Sequence, residues 1–264
     1  MEALLEGSAA LDWDHRSVRD DVVVLAGGPA VDTTEIDRIA REAIGAVDAA
    51  WRRPWARRVV VVAPADATQL AAVTGVGAHR PASAAMAITR PGLGAFVVLD
   101  PTAWSQATQR GRRALLIHET VHLAVDSGDA RPPGATGASP AGAGESAWLR
   151  EGFAQDVAYR AIGAQPRDIA PELLARIARE GPPERLPTAS DLETTSRSEA
   201  TQAARDDAYV LAWFAVRTLD RLGGPDAVRR SQESGTLELP GVTSQAFVRA
   251  WQSDLRAAAA ESPR

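Results

Sequence analysis

The sequence predicts an α+β protein, in which a small mixed or antiparallel sheet with flanking helices precedes a mainly helical lobe. Three observations carry this. Short β-branched runs alternate with helical patterns up to about residue 106, and beyond that point the spacing is helical throughout. The chain is 264 residues long, enough for one large domain with a full core. It has no cysteine, so packing rather than disulfides must hold it together.

Residues 21–25 (DVVVL) run into Gly27-Gly28-Pro29 and read as a buried strand. Over 33–51, Ile36, Ala40, Ala43, Val47 and Trp51 recur at helical spacing behind a Thr33 or Thr34 cap, so this stretch reads as an amphipathic helix. Val59 to Val62 is the next strand, and a short helix follows near 67–73. Ala84–Thr89 and Ala95–Asp100, joined through Arg90-Pro91-Gly92, read as an antiparallel hairpin. Helical patterns then cover 107–126, 147–163, 170–180, 206–222 and 244–259, with Gly223-Gly224-Pro225 closing the fourth. Residues 131–146 are nearly all Gly, Ala, Pro, Ser and Thr, which predicts a mobile loop, and 181–205 is a second polar interruption. These readings give a single domain over 1–264, divided into an α/β part at 1–106 and a helical part at 107–264.

The formal net charge of −5 argues against a nucleic-acid surface. All 29 basic residues are arginine and no asparagine occurs, a composition that points to a GC-rich, bacterial coding bias. No run of 18 apolar residues is present to span a bilayer, and Met1 to Glu6 lacks the basic and apolar regions of an export signal. Without cysteine, any metal site must be built from His, Asp and Glu.

Two of the four histidines, His118 and His122, sit in HETVH within ALLIHETVHLAV. Four residues apart on a helix, their imidazoles share one face and can reach one tetrahedral ion. Glu119 lies beside that ion rather than on it, where a carboxylate can take a proton from a water the cation has made acidic. Zinc needs a third protein ligand, and Glu151 stands alone as the acid in an aromatic and apolar frame, Trp148-Leu149-Arg150-Glu151-Gly152-Phe153-Ala154. The plainer alternatives are a pair of satisfied core histidines, and a Glu151 favoured only by the positive end of its helix. The tryptophans at 51, 55, 104, 148, 213 and 251 read as packing residues, and Arg112-Arg113 as a solvated face.

HETVH followed by WLREGFA resembles the gluzincin metallopeptidases, the superfamily of thermolysin and aminopeptidase N. More closely, the stretch from Trp51 to Gly224 resembles uncharacterised peptidase-MA-like proteins of actinobacteria, usually exported or membrane-anchored. The resemblance implies a zincin core, Zn2+ as cofactor, His118, His122 and Glu151 as its ligands, Glu119 as general base, a peptide or protein substrate, and a place outside the cytoplasm or at a membrane. Tyr209, in DDAYVLAWFAVRTLDRLGG, lies in a segment similar to the one carrying the transition-state tyrosine of aminopeptidase N relatives. Its rival is Tyr159, the other tyrosine of the chain.

This chain departs from those relatives in three ways. The 28 residues between His122 and Glu151 exceed the usual spacing, the surplus being the 131–146 loop. The strand that in aminopeptidases carries a Glu for the substrate's amino terminus is here Ala84-Ala85-Met86-Ala87-Ile88, with no acid, which counts against an aminopeptidase. Where thermolysin-like enzymes place an Asp one turn after the third ligand, Gln155 stands, with Asp156 next. The expectation is a zinc-dependent metallohydrolase, most simply a peptidase. The alternative is a zinc-binding scaffold of the same fold without turnover, for which Glu119 would have no use.

Overall fold

In a computed structural model of the chain, the described residues are 15–19, 21–28, 31–74, 84–90, 94–126, 147–192 and 199–261. The expected loop at 131–146 and the turn residues 91–93 lie outside them. The chain divides into two compact units, Met1–Pro140 and Ala141–Arg264.

The first unit is built on a five-stranded sheet: β1 (His15–Arg19), β2 (Val22–Ala26), β3 (Val59–Ala63), β4 (Ala85–Arg90) and β5 (Gly94–Leu99), in the order β1-β2-β3-β5-β4. The central strands β2, β3 and β5 are parallel, with Val22 opposite Val59 and Val61 opposite Val97. Both edge strands run antiparallel to their neighbours, so the sheet is mixed. β2 and β3 are buried along their whole length, which is why they read as unbroken apolar runs rather than alternating ones. One face, through Val22, Val24, Val59, Val61, Val97 and Leu99, packs on helix α1 (Thr33–Trp51) and on Leu116 and Leu123 of a later helix. The other face, through Val23, Leu25, Val60, Val62, Phe96 and Val98, packs on Leu70 of α2 (Ala67–Thr74).

β4 and β5 form the expected antiparallel hairpin, Ala87 opposite Val97 and Arg90 opposite Gly94. β1 has no counterpart in the sequence reading. Its segment HRSVR has one apolar residue, Val18, and that residue is exposed, so an edge strand here leaves no hydrophobic signature. Asp100 ends β5 and caps α3 (Pro101–Gln106), accepting the N–H groups of Thr102 and Ala103 at 3.0 and 2.9 Å. The helix expected over 107–126 is therefore preceded by a separate short one, and starts as α4 at Gln109, running to Asp126.

Arg112 and Arg113 correct their reading as a solvated face. Arg112 is ion-paired with Glu35 of α1 at 2.8 Å, donates to the carbonyls of Trp104 and Ser105, and lies over the Trp104 ring; Arg113 pairs with Glu42 of α1. Together they tie the start of α4 to α1 and α3.

The second unit contains α5 (Ala147–Ala161), α6 (Pro166–Ile169), α7 (Pro171–Glu180), α8 (Ala189–Leu192), α9 (Glu199–Ser234) and α10 (Ser244–Glu261), with no strand among its described residues. The expected stop at Gly223-Gly224-Pro225 is a break inside α9: Gly224 takes a φ of 72°, which a side-chain-bearing residue adopts at a cost, and helix resumes after it. Of the tryptophans, those at 51, 104, 148, 213 and 251 are buried and Trp55 packs partly against the sheet core. Among the described residues no helix is long and apolar enough to cross a membrane.

Candidate metal centre

The α4 helix belongs to the sheet unit, where it packs against α1 and the β4–β5 hairpin. Thr108 receives the N–H of Gly111 at 3.0 Å and so caps its start. From Leu116 to Ala124 every residue is buried, so the helix is enclosed on all sides just where its sequence is polar. His118, Glu119, Thr120 and His122 are 8%, 7%, 0% and 6% exposed. Polar side chains enclosed to that degree need partners or a ligand. Thr120 gives its hydroxyl to the Leu116 carbonyl one turn back at 2.7 Å.

The two imidazoles lean on one another edge to face, with Nε2 of His118 and Nε2 of His122 3.0 Å apart. Two nitrogens each about 2.05 Å from one tetrahedral zinc ion would stand roughly 3.3 Å apart, so the observed separation fits a shared ion with little movement. Glu119, one residue from His118, has its Oε2 2.6 Å from the main-chain N–H of Ala87 on β4, which donates to it.

Glu151 stands half-buried in the second turn of α5, in the second unit. Its surroundings on the helix are fixed from several sides. Trp148 stacks on Phe247 of α10 with ring centroids 5.6 Å apart, and the Leu149 carbonyl accepts from Gln232 at 2.6 Å. At Gly152, a Cβ would lie 2.2 Å from the Ala212 carbonyl oxygen of α9, so only glycine permits this helix crossing. Asp156, one turn further, is buried and receives Trp213 Nε1–H at 3.1 Å and Arg160 at 2.8 Å. Burial pushes its carboxyl above the usual carboxylate range, against the downward pull of Arg160 and Trp213.

Tyr209 is half-buried on α9. Tyr159 packs edge to face on Trp213 and accepts from Gln155 at 3.4 Å; burial and the nearby Asp206 raise its phenol to about 12. A phenol held so strongly in its neutral form can donate a hydrogen bond but releases its proton poorly.

Thus the fold brings His118 and His122 together with Glu119 beside them, and carries Glu151, Tyr209 and Tyr159 on helices of the second unit. Sequence reasoning missed the Ala87 amide, because a main-chain donor leaves no mark on residue identity. It also missed the reason for Gly152, although a glycine interrupting a helical pattern is itself a signal of close packing.

No family model matches the chain, and no curated protein does. Two solved structures are similar to it. One is a glutamate-to-alanine mutant of a two-domain M1 zinc metallopeptidase bound to L-arginine, with 18% identity over 95% of this chain and 52% of that one, and a TM-score of 0.43. The other is a glutamate-to-alanine mutant of an M1 zinc metallopeptidase from Deinococcus radiodurans, with 16% identity over 92% of this chain and 48% of that one, and a TM-score of 0.40. The chain spans about half the length of these structures.

Proposed function

We propose that the protein is a zinc-dependent metallohydrolase that cleaves amide bonds in peptides. The observation that carries this reading is the buried pair of imidazoles, Nε2 to Nε2 3.0 Å, with a buried glutamate next to one of them on the same helix. A structural helix gains nothing from enclosing two histidines and a carboxylate on consecutive turns, since burial of polar groups costs free energy unless something compensates. With Glu151 as the third ligand that the sequence suggests, His118, His122 and Glu151 make a donor set whose chemistry suits one metal ion. Two neutral imidazoles and one carboxylate match zinc's preference, and leave room in a tetrahedral shell for a water or substrate oxygen.

When bound, zinc supplies Lewis acidity, polarising the scissile carbonyl and acidifying the attacking water. In this reading His118, His122 and Glu151 hold the ion. Glu119 takes the proton of the attacking water and returns it to the leaving amine nitrogen, so the C–N bond breaks without expelling an amide anion. Tyr209 donates a hydrogen bond to the oxygen on which charge develops. The absence of an acid between Ala84 and Ile88 predicts no preference for a free amino terminus.

The test is a screen of peptides of several lengths, with free and blocked amino termini, against wild-type protein and Glu119→Gln. The variant keeps the size and hydrogen bonding of the side chain but cannot accept a proton. It is expected to retain zinc and lose at least about 100-fold in turnover. Turnover at the wild-type rate in Glu119→Gln would contradict the proposal.

A further inference from the structure

We propose that the main-chain N–H of Ala87 is the positioning group for Glu119, so that the edge of the sheet holds the base in place; the inference rests on the peptidase reading above. β4 is the last strand in the order of the described sheet and pairs only with β5. The Asp100 N–H donates to the Ala84 carbonyl at 3.0 Å, so Ala84 points toward β5. Successive residues of a strand alternate in hydrogen-bonding direction, and with Ala87 opposite Val97 this places Ala84, Met86 and Ile88 toward β5 and Ala87 and Thr89 away from it. The Ala87 N–H is therefore not part of the ladder. It is aimed off the sheet, and what it meets is the Glu119 carboxylate at 2.6 Å.

The pairing of these two groups has mechanical sense. A glutamate has three side-chain torsions and, left to itself, samples several rotamers. The amide of a paired strand has almost no freedom. A hydrogen bond between them transfers the rigidity of the sheet to the carboxylate, and bonds from N–H to an ionised carboxylate are among the stronger ones in proteins. A general base must remain within hydrogen-bond reach of the proton it removes, and this contact keeps Glu119 in one place on the turn between His118 and His122.

Amide hydrogen exchange on metal-free, substrate-free protein tests the contact without reference to activity. Although it lies on an outer edge, the Ala87 amide is expected to be protected, and Glu119→Ala should lower that protection at least about tenfold. The amide of Thr89, exposed on the same edge, should exchange equally in both proteins. Equal exchange at Ala87 in the two proteins would overturn the proposal. A second arm uses zinc-loaded Ala87→Pro, which removes the donor to Glu119 while sparing the ladder, as edge strands allow. Its kcat should fall at least about tenfold with KM and zinc content unchanged, and in a Glu119→Gln background the same change should cost nothing further. Wild-type kcat in folded Ala87→Pro would also overturn it. If the wild type cleaves no peptide, the peptidase reading falls, and exchange alone decides whether Ala87 holds Glu119.

Discussion

Helices α4 and α5 each bury a carboxylate, and they do so by different means. On α5, Asp156 is closed in by side chains of its own unit: Trp213 donates to it, Arg160 on the next turn pairs with it, and Arg160 in turn reaches Asp220. That is how a fold satisfies a buried charge when stability is the purpose. On α4, Glu119 is buried to the same degree, and beside it are two imidazoles whose nitrogens face one another at 3.0 Å. Each such nitrogen can carry a lone pair, and two lone pairs this close suit a shared cation, the arrangement the proposed zinc site would use. On the proposed reading, Asp156 of α5 serves the structure while His118, Glu119 and His122 of α4 serve a ligand, a distinction that residue burial alone would not draw.

The contrast can be broken by mutation. The largest expected effect is at Gly152, where a methyl group would meet the backbone of Ala212 at 2.2 Å. Gly152→Ala should destabilise the second unit by about 3 kcal/mol or more, read as a lower denaturant midpoint. Asp156→Ala should cost about 1–3 kcal/mol, since the buried Trp213 Nε1–H loses its acceptor. By contrast, Glu119→Gln in the metal-free protein should leave the denaturant midpoint unchanged or raise it, because residues kept for function are not selected for stability. A loss at Glu119 as large as that at Asp156 would erase the distinction between the two helices.

A smaller effect sharpens it. Burial holds the Asp156 carboxyl above its ordinary value. The folded state therefore binds this proton more readily than the unfolded state, and the stabilisation is present at low pH and lost as pH rises through the raised value. Asp156→Asn removes that contribution, so the stability of the variant should fall less than the wild type's across the window just above the ordinary carboxylate range. Denaturation midpoints measured at a series of acidic pH values check it.

The candidate site could be proposed from the sequence because it rests on residue identity: His118, Glu119, His122 and Glu151 are conspicuous by type and spacing. The central strands were legible because burial on both faces demands unbroken valine runs, as in Val59–Ala63. What escaped has a common cause. β1 is an edge strand whose one apolar residue, Val18, is exposed, the Ala87 amide is backbone, and the Arg112 and Arg113 ion pairs join residues 77 and 71 positions apart. None of these follows from local pattern, since each depends on which element becomes whose neighbour.

The central claim is that α4 carries a zinc site, and zinc affinity tests it most directly. Titration of zinc into metal-free protein, followed by calorimetry and checked by elemental analysis, should give near one ion per chain. His122→Ala and Glu151→Ala should each weaken binding by more than about 100-fold, beyond the 10- to 100-fold typical of losing a residue that only supports a ligand. Wild-type protein that takes up no zinc, or a His122→Ala protein that binds it as tightly as wild type, would contradict the account.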